Sequence, residues 1–159
     1  MLFESVTDFL GDLEQRVWWV FPGASTVHFI GLSLLVGSIL LIDLRALGVI
    51  RRVPYAAVMS LTKVAVVGLL LNVFSGLVMF ASRPADYWHA WPFRYKMMVI
   101  LIAVLNALWF TGVGHRKLSS LPSEAGTPLA IKASAVLSLA AWLVVILLGR
   151  SIFEFTAGG

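Results

Sequence analysis

Cysteine is absent from this sequence of 159 residues. Without thiols, the chain cannot form disulfides, thiolate zinc sites, iron–sulfur clusters or the covalent links of c-type haem. Charged residues are also scarce, at 13% of the sequence, against about a quarter in soluble proteins. Hydrophobic residues make up 60%. This composition excludes an ordinary soluble domain and indicates a protein of the lipid bilayer.

Residue groups typical of catalysis are missing as well. The serines lie in apolar runs without a positioned base, and no helix carries a Glu–His pair at metal-ligand spacing. The net charge is +4, but the basic residues cluster in two connecting loops, so nucleic acid is not an expected partner. Hydrolase or transferase chemistry is not expected, and the sequence leaves open whether the protein is an enzyme.

The sequence does contain four apolar stretches of membrane-spanning length. A helix rises about 1.5 Å per residue, so about 20 residues cross roughly 30 Å of hydrocarbon. The predicted spans are about residues 25–47, 61–81, 94–113 and 130–155. Because the connections are short, we expect an all-α integral membrane protein, a four-helix up-down-up-down bundle that forms one domain over residues 1–159.

An N-terminal amphipathic helix is predicted over residues 2–20, lying on the membrane surface. Its apolar stripe consists of Phe3, Val6, Leu10, Leu13 and Val17, and acidic residues occupy the other side. Pro22 and Gly23 are predicted to break this helix before the first span. Residues 82–93, rich in aromatic residues and proline, are predicted to form an interfacial loop.

The distribution of lysine and arginine predicts the orientation. Seven bases lie on the side of the first and third loops: Arg45, Arg51, Arg52, Lys63, Arg116, Lys117 and Lys132. The opposite side has fewer bases, set among acidic residues. The positive-inside rule therefore places the two basic loops in the cytoplasm and both termini outside.

Several polar residues are predicted to share one depth near the outer surface. Counting from the span ends places His28, Lys96 and Arg150 at this level, with Arg94 and the loop residue His89 beside them. An imidazole in lipid is costly unless it faces a partner. Haem b requires an axial imidazole, an apolar slot and cations for its propionates. We therefore expect His28 to ligate haem iron, His89 to be a possible second ligand, and the three cations to hold propionates.

Two alternatives to haem binding remain open for the polar residues near the outer surface. Met79, Met97 and Met98, near His28 and His89, offer the soft donors that suit Cu(I), although methionines at helical spacing also fill cores. Copper handling is therefore the second hypothesis. The third is a cofactor-free membrane anchor or assembly subunit, in which His28 is a structural residue.

A second group of polar residues is predicted at the inner level: Asp43, Arg45, Lys63, His115 and Lys132. The expected role is structural. An ion-pair network with snorkelling bases would fix the cytoplasmic end of the bundle.

Two short motifs resemble a known grouping. They are His28 followed by Gly37, and Arg-Tyr-Lys-Met-Met-Val-Ile-Leu-Ile over residues 94–102. Both resemble the four-helix bacterial membrane proteins around HemJ, the oxygen-independent protoporphyrinogen oxidase, and the copper-resistance CopD domain. The resemblance implies haem b bound through His28 and a propionate or substrate contact at Lys96. The resulting prediction is a haem b protein of the bacterial inner membrane. It would act in electron transfer with a membrane or periplasmic redox partner or as a homo-oligomer, or as a HemJ-like oxidoreductase.

Overall fold

The computed structural model describes Phe9, residues 19–114, Arg116 and residues 127–156. This part of the chain folds into helices α1 (Val20–Leu47), α2 (Tyr55–Ser82), α3 (Pro84–His89), α4 (Trp91–Trp109) and α5 (Leu129–Thr156). A π-helical turn, Phe110–Gly114, continues α4. Four of the described helices are long and apolar enough to cross a membrane. The prediction of an all-α membrane bundle with four spans is confirmed.

The long helices pack in an antiparallel bundle. α1 packs against both α2 and α5, and α4 packs against α5. One end of the bundle therefore contains the beginnings of α1 and α4 and the ends of α2 and α5. We call it the His28 end, and we call the opposite end the Asp43 end.

The start of α1 differs from the prediction. The helix begins at Val20 and continues through Pro22 and Gly23, where a break was expected before a span beginning near residue 25. Proline is tolerated there because the first-turn N–H groups of a helix have no intrahelical acceptor. The predicted surface helix over residues 2–20 lies outside the described residues except for Phe9, Trp19 and Val20, so it stays a prediction.

The second span and the following connection also differ from the prediction. α2 begins at Tyr55, directly after Pro54, and not near residue 61. The predicted loop over residues 82–93 contains the short helix α3. Pro84 and Pro92 lie in the first turns of α3 and α4, where proline's fixed φ favours a helix start. Proline therefore begins helices in this region.

Glycine determines how α1 ends and how closely it approaches α2. Gly48 has a φ of 83°, and its N–H donates to the carbonyl of Arg45 at 3.1 Å. The right-handed helix α1 therefore ends at a glycine in the left-handed backbone conformation, which is a common helix C-cap. A Cβ atom at Gly68 would lie 2.6 Å from the backbone nitrogen of Leu35 and 2.7 Å from the carbonyl oxygen of Gly31. The backbones of α1 and α2 are therefore in direct contact, as small residues permit between membrane helices.

Two apolar clusters form the core. The first lies in the middle of the bundle and contains Leu35, Ala65, Ala103, Ala141, Trp142 and Val145. The second, towards the Asp43 end, contains Ile42, Ala46, Val58, Phe110, Ile131 and Ala135. Because Leu35 lies between His28 and Asp43 along α1, an apolar layer separates the polar groups of the two ends.

Aromatic rings connect the helices at the His28 end. Phe80 of α2 stacks on Phe93 of α4 with a centroid distance of 5.3 Å and an interplanar angle of 10°. Tyr87 of α3 contacts both rings. Trp91 and Phe155 join α4 to α5 in an edge-to-face pair at 5.7 Å. Such pairs contribute about 0.5 to 1.5 kcal/mol each beyond the apolar area that they bury.

Candidate functional site

His28 is half-buried, about two turns from the start of α1. Its Nδ1 atom lies 3.0 Å from the hydroxyl oxygen of Ser75 on α2. Ser75 is itself 1% exposed, about two turns before the end of its helix. The expected partner of the intramembrane imidazole is therefore a serine on the neighbouring helix.

The hydrogen bonds of Ser75 determine which nitrogen of His28 carries the proton. The Ser75 hydroxyl donates to the carbonyl of Leu71 at 2.6 Å. A hydroxyl has one proton, so its oxygen must accept the bond from Nδ1–H of His28. The backbone carbonyl of Asn72, which can only accept, also bonds the ring. With the proton on Nδ1, the neutral imidazole has its lone pair on Nε2.

This arrangement has the features of a metal-binding histidine. Such residues donate their second ring N–H to a neighbouring acceptor, which fixes the tautomer and the orientation of the ring. Gly76 lies beside the ring, since a Cβ atom there would be 3.5 Å from Cε1 of His28. α2 thus holds one edge of the imidazole, and Nε2 is the atom left for a ligand.

Lys96 supplies a positive charge to the same level of the bundle. It lies between one and two turns into α4, and a Cβ atom at Gly149 of α5 would be 3.3 Å from its Nζ atom. Its charge acts electrostatically on His28. Within the described ranges, no carboxylate pairs with Lys96. An ammonium group among apolar helices is costly without a counter-ion, so this position favours an anionic ligand.

The other predicted site residues lie on the exposed surface of the His28 end. His89, the last residue of α3, donates from Nδ1 to the carbonyl of Ala85 at 2.8 Å, which also leaves its Nε2 free. Arg94 is exposed. Arg150 forms an ion pair with Glu154 at 2.7 Å, and its side chain is 68% exposed. Lys96 acts electrostatically on His28, whereas the hydrogen bond described for His89 and the ion pair described for Arg150 join them to Ala85 and Glu154.

The methionines do not form a cluster of inward-facing donors. Met97 is 42% exposed and Met98 is 56% exposed, whereas Met79 is half-buried. Within the described residues, no group of three His, Cys, Asp or Glu side chains could hold a metal ion. Among the described residues, the bundle therefore orients the imidazole of His28, and the exposed Met97 and Met98 do not add to an inward-facing ligand set.

The ion-pair network predicted at the Asp43 end does not include Asp43 among the described residues. Asp43 accepts a hydrogen bond from Ser138 of α5, while Nε of Arg45 donates to the carbonyl of Val53 at 2.7 Å. Residues two apart point to different sides of a helix, so Asp43 and Arg45 diverge. Lys63 is exposed. His115, another predicted member, lies outside the described residues.

The sequence was compared with known protein families. The DUF6644 model, a family of unknown function, matches residues 2–155. The chain belongs to this family. No curated protein and no solved structure is significantly similar to this DUF6644 chain. Its site must therefore be interpreted from its own residues.

The sequence analysis missed two residues that shape the site of this DUF6644 protein. Ser75 was not singled out, because a serine in an apolar helix usually bonds its own backbone. Gly149 was missed because a helical glycine gives no sign of what it contacts. Counting depth, as was done for His28 and Lys96, would have placed both at the same level.

Proposed function

We propose that this DUF6644 protein binds haem b at its His28 end, with Nε2 of His28 as an axial ligand to the iron. The observation that supports the proposal is the bond from Nδ1–H of His28 to Ser75, at 3.0 Å. This bond orients the ring and leaves the ligating nitrogen unprotonated. Bound haem would supply one-electron redox chemistry.

In this proposal the remaining predicted residues have distinct roles. Lys96 holds a propionate within the bundle, because its ammonium group has no anionic partner among the described residues. Arg94 holds the second propionate at the membrane surface, with Arg150 as a weaker contributor because Glu154 already neutralises it. His89 is the proposed second axial ligand, since its free Nε2 lies at the same end.

The biological role that fits these features is electron transfer in a redox assembly, or a HemJ-like oxidoreductase reaction. The positive-inside rule supports a location in the bacterial inner membrane with both termini outside. The His28 end would then face the periplasm, where a redox partner or a second copy of the chain could contact it.

The test is an absorption spectrum of the detergent-purified protein from haem-replete cells, oxidised and then reduced with dithionite. We expect a Soret band and sharp reduced α and β bands. A flat visible spectrum would overturn the haem proposal. Metal analysis of the same sample would then separate copper handling from a cofactor-free scaffold, which predicts neither haem nor stoichiometric copper.

A further inference from the structure

Asp43 is a buried ionisable residue at the end of the bundle opposite His28. Its side chain is 5% exposed, and its described side-chain partner is the hydroxyl of Ser138. The Oδ2 atom is fully buried and has no hydrogen-bond partner among the described residues. The position is only about 6 Å from the end of α1 at Leu47, which is one helical turn.

Among the described residues, no cation compensates a charged carboxylate at this position. The ionisable groups that α2 and α5 carry towards this end are Tyr55, Lys63 and Lys132, and none of them acts electrostatically on Asp43. On its own helix, Arg45 is bound to a loop carbonyl. Burying an isolated charge is far more costly than burying a neutral acid. Asp43 therefore fits its site in the protonated form.

We propose that Asp43 is a proton-binding site that exchanges with the aqueous phase at the Asp43 end. A proton from water forms the O–H bond at Oδ2, while the other oxygen accepts the bond from Ser138. Release returns the proton to water and leaves a carboxylate. A metal ion is a poorer occupant, since hard cations take several oxygen ligands and the described site provides the carboxyl group and one hydroxyl. This inference does not depend on haem.

Infrared spectroscopy tests the proposal on the full-length protein in lipid. We expect a protonated carboxyl C=O band at neutral pH that shifts in D₂O and disappears reversibly at high pH. Asp43→Asn should abolish the band, and Ser138→Ala should shift its frequency without removing it. Asparagine is nearly isosteric, so the variant should fold. If it does not, the isotope shift and pH titration of the wild type, with the Ser138→Ala shift, still decide the question.

Three results would overturn the proposal. The band could be missing from the wild type at neutral pH, or it could persist unchanged in Asp43→Asn. It could also vanish at constant pH when sodium chloride replaces choline chloride, which would identify a sodium ion as the occupant. Asp86→Asn is the matched control, because Asp86 is an exposed acid on α3 and should contribute nothing to the band.

Discussion

Nδ1 of His28 lies 3.0 Å from the hydroxyl oxygen of Ser75, and that hydroxyl donates in turn to the Leu71 carbonyl at 2.6 Å. The chain of bonds runs from α1 into the backbone of α2. It fixes the imidazole in the tautomer that has its proton on Nδ1 and its lone pair on Nε2. The proposed ligand therefore depends on a residue that does not itself touch the cofactor.

Ser75→Ala should weaken haem binding without removing the iron ligand. Loss of such a supporting hydrogen bond typically costs 10- to 100-fold in affinity. Haem titration of the purified apoprotein measures the effect. The control is Ser33→Ala, because Ser33 is exposed and bonds only the carbonyl of Phe29 in its own helix. Equal haem affinity in the two variants would contradict a supporting role for Ser75.

His28→Ala should yield protein without bound haem, because no other described imidazole is held within the bundle. His89→Ala should retain haem but change its spin state, since one axial position would lose its proposed ligand. Pyridine haemochrome assays give the occupancy, and electron paramagnetic resonance gives the spin state. Full haem occupancy in His28→Ala would show that His28 is not an iron ligand. An unchanged spin state in His89→Ala would show the same for His89.

Lys96→Met should stabilise the haem-free protein but weaken its binding of haem. Without haem, the variant should be more stable by about 1 to 3 kcal/mol, because an uncompensated ammonium group leaves the apolar bundle. With haem, the variant should bind more weakly, because a propionate loses its cation. Thermal unfolding of both forms in the same detergent measures the difference.

Arg94→Gln is the comparison for Lys96→Met, since Arg94 is exposed and its loss should leave apoprotein stability nearly unchanged. A Lys96→Met variant that destabilised the apoprotein would show that the ammonium group has a stabilising partner within the protein itself.

Gly68→Ala should destabilise the bundle by about 1 to 3 kcal/mol. The added methyl group would meet the backbones of Leu35 and Gly31 at 2.6 and 2.7 Å, and neither can move without separating α1 from α2. Gly37→Ala is the matched control, because a Cβ atom there meets nothing within 4 Å. Alanine should be neutral or stabilising by about 0.5 to 1 kcal/mol at that helical position. Similar unfolding midpoints would refute the close contact.

Asn106 and Ser134 should show a favourable coupling between α4 and α5. The Asn106 amide donates to the Ser134 carbonyl at 3.0 Å, and the Ser134 hydroxyl donates to Oδ1 of Asn106 at 2.9 Å. A double-mutant cycle with alanine at each position should give a coupling of about 0.6 kcal/mol, and at most roughly 1.7 kcal/mol. Additive single effects would mean that the hydroxyl bond contributes nothing in the membrane.

The sequence by itself determined the class of the protein and the depth of its polar residues. Apolar runs of about 20 residues have few alternatives to spanning a bilayer, because every backbone group must be hydrogen bonded within the lipid. Depth follows from the fixed rise of a helix, and for this reason His28 and Lys96 could be predicted to share one level. Helix starts were less predictable, since a proline such as Pro22 either breaks a helix or occupies its first turn.

Tertiary structure alone decided which side chains meet. Rotation about the helix axis, which length and composition leave undetermined, brings Ser75 within hydrogen-bonding distance of His28. It also turns Asp43 towards Ser138 while Arg45 points to the loop. These rotations are set by the backbone contact at Gly31 and Gly68 and by the packing of α1 between α2 and α5. Such contacts join residues that are far apart in the chain, so they cannot be predicted from the positions of the residues in the sequence.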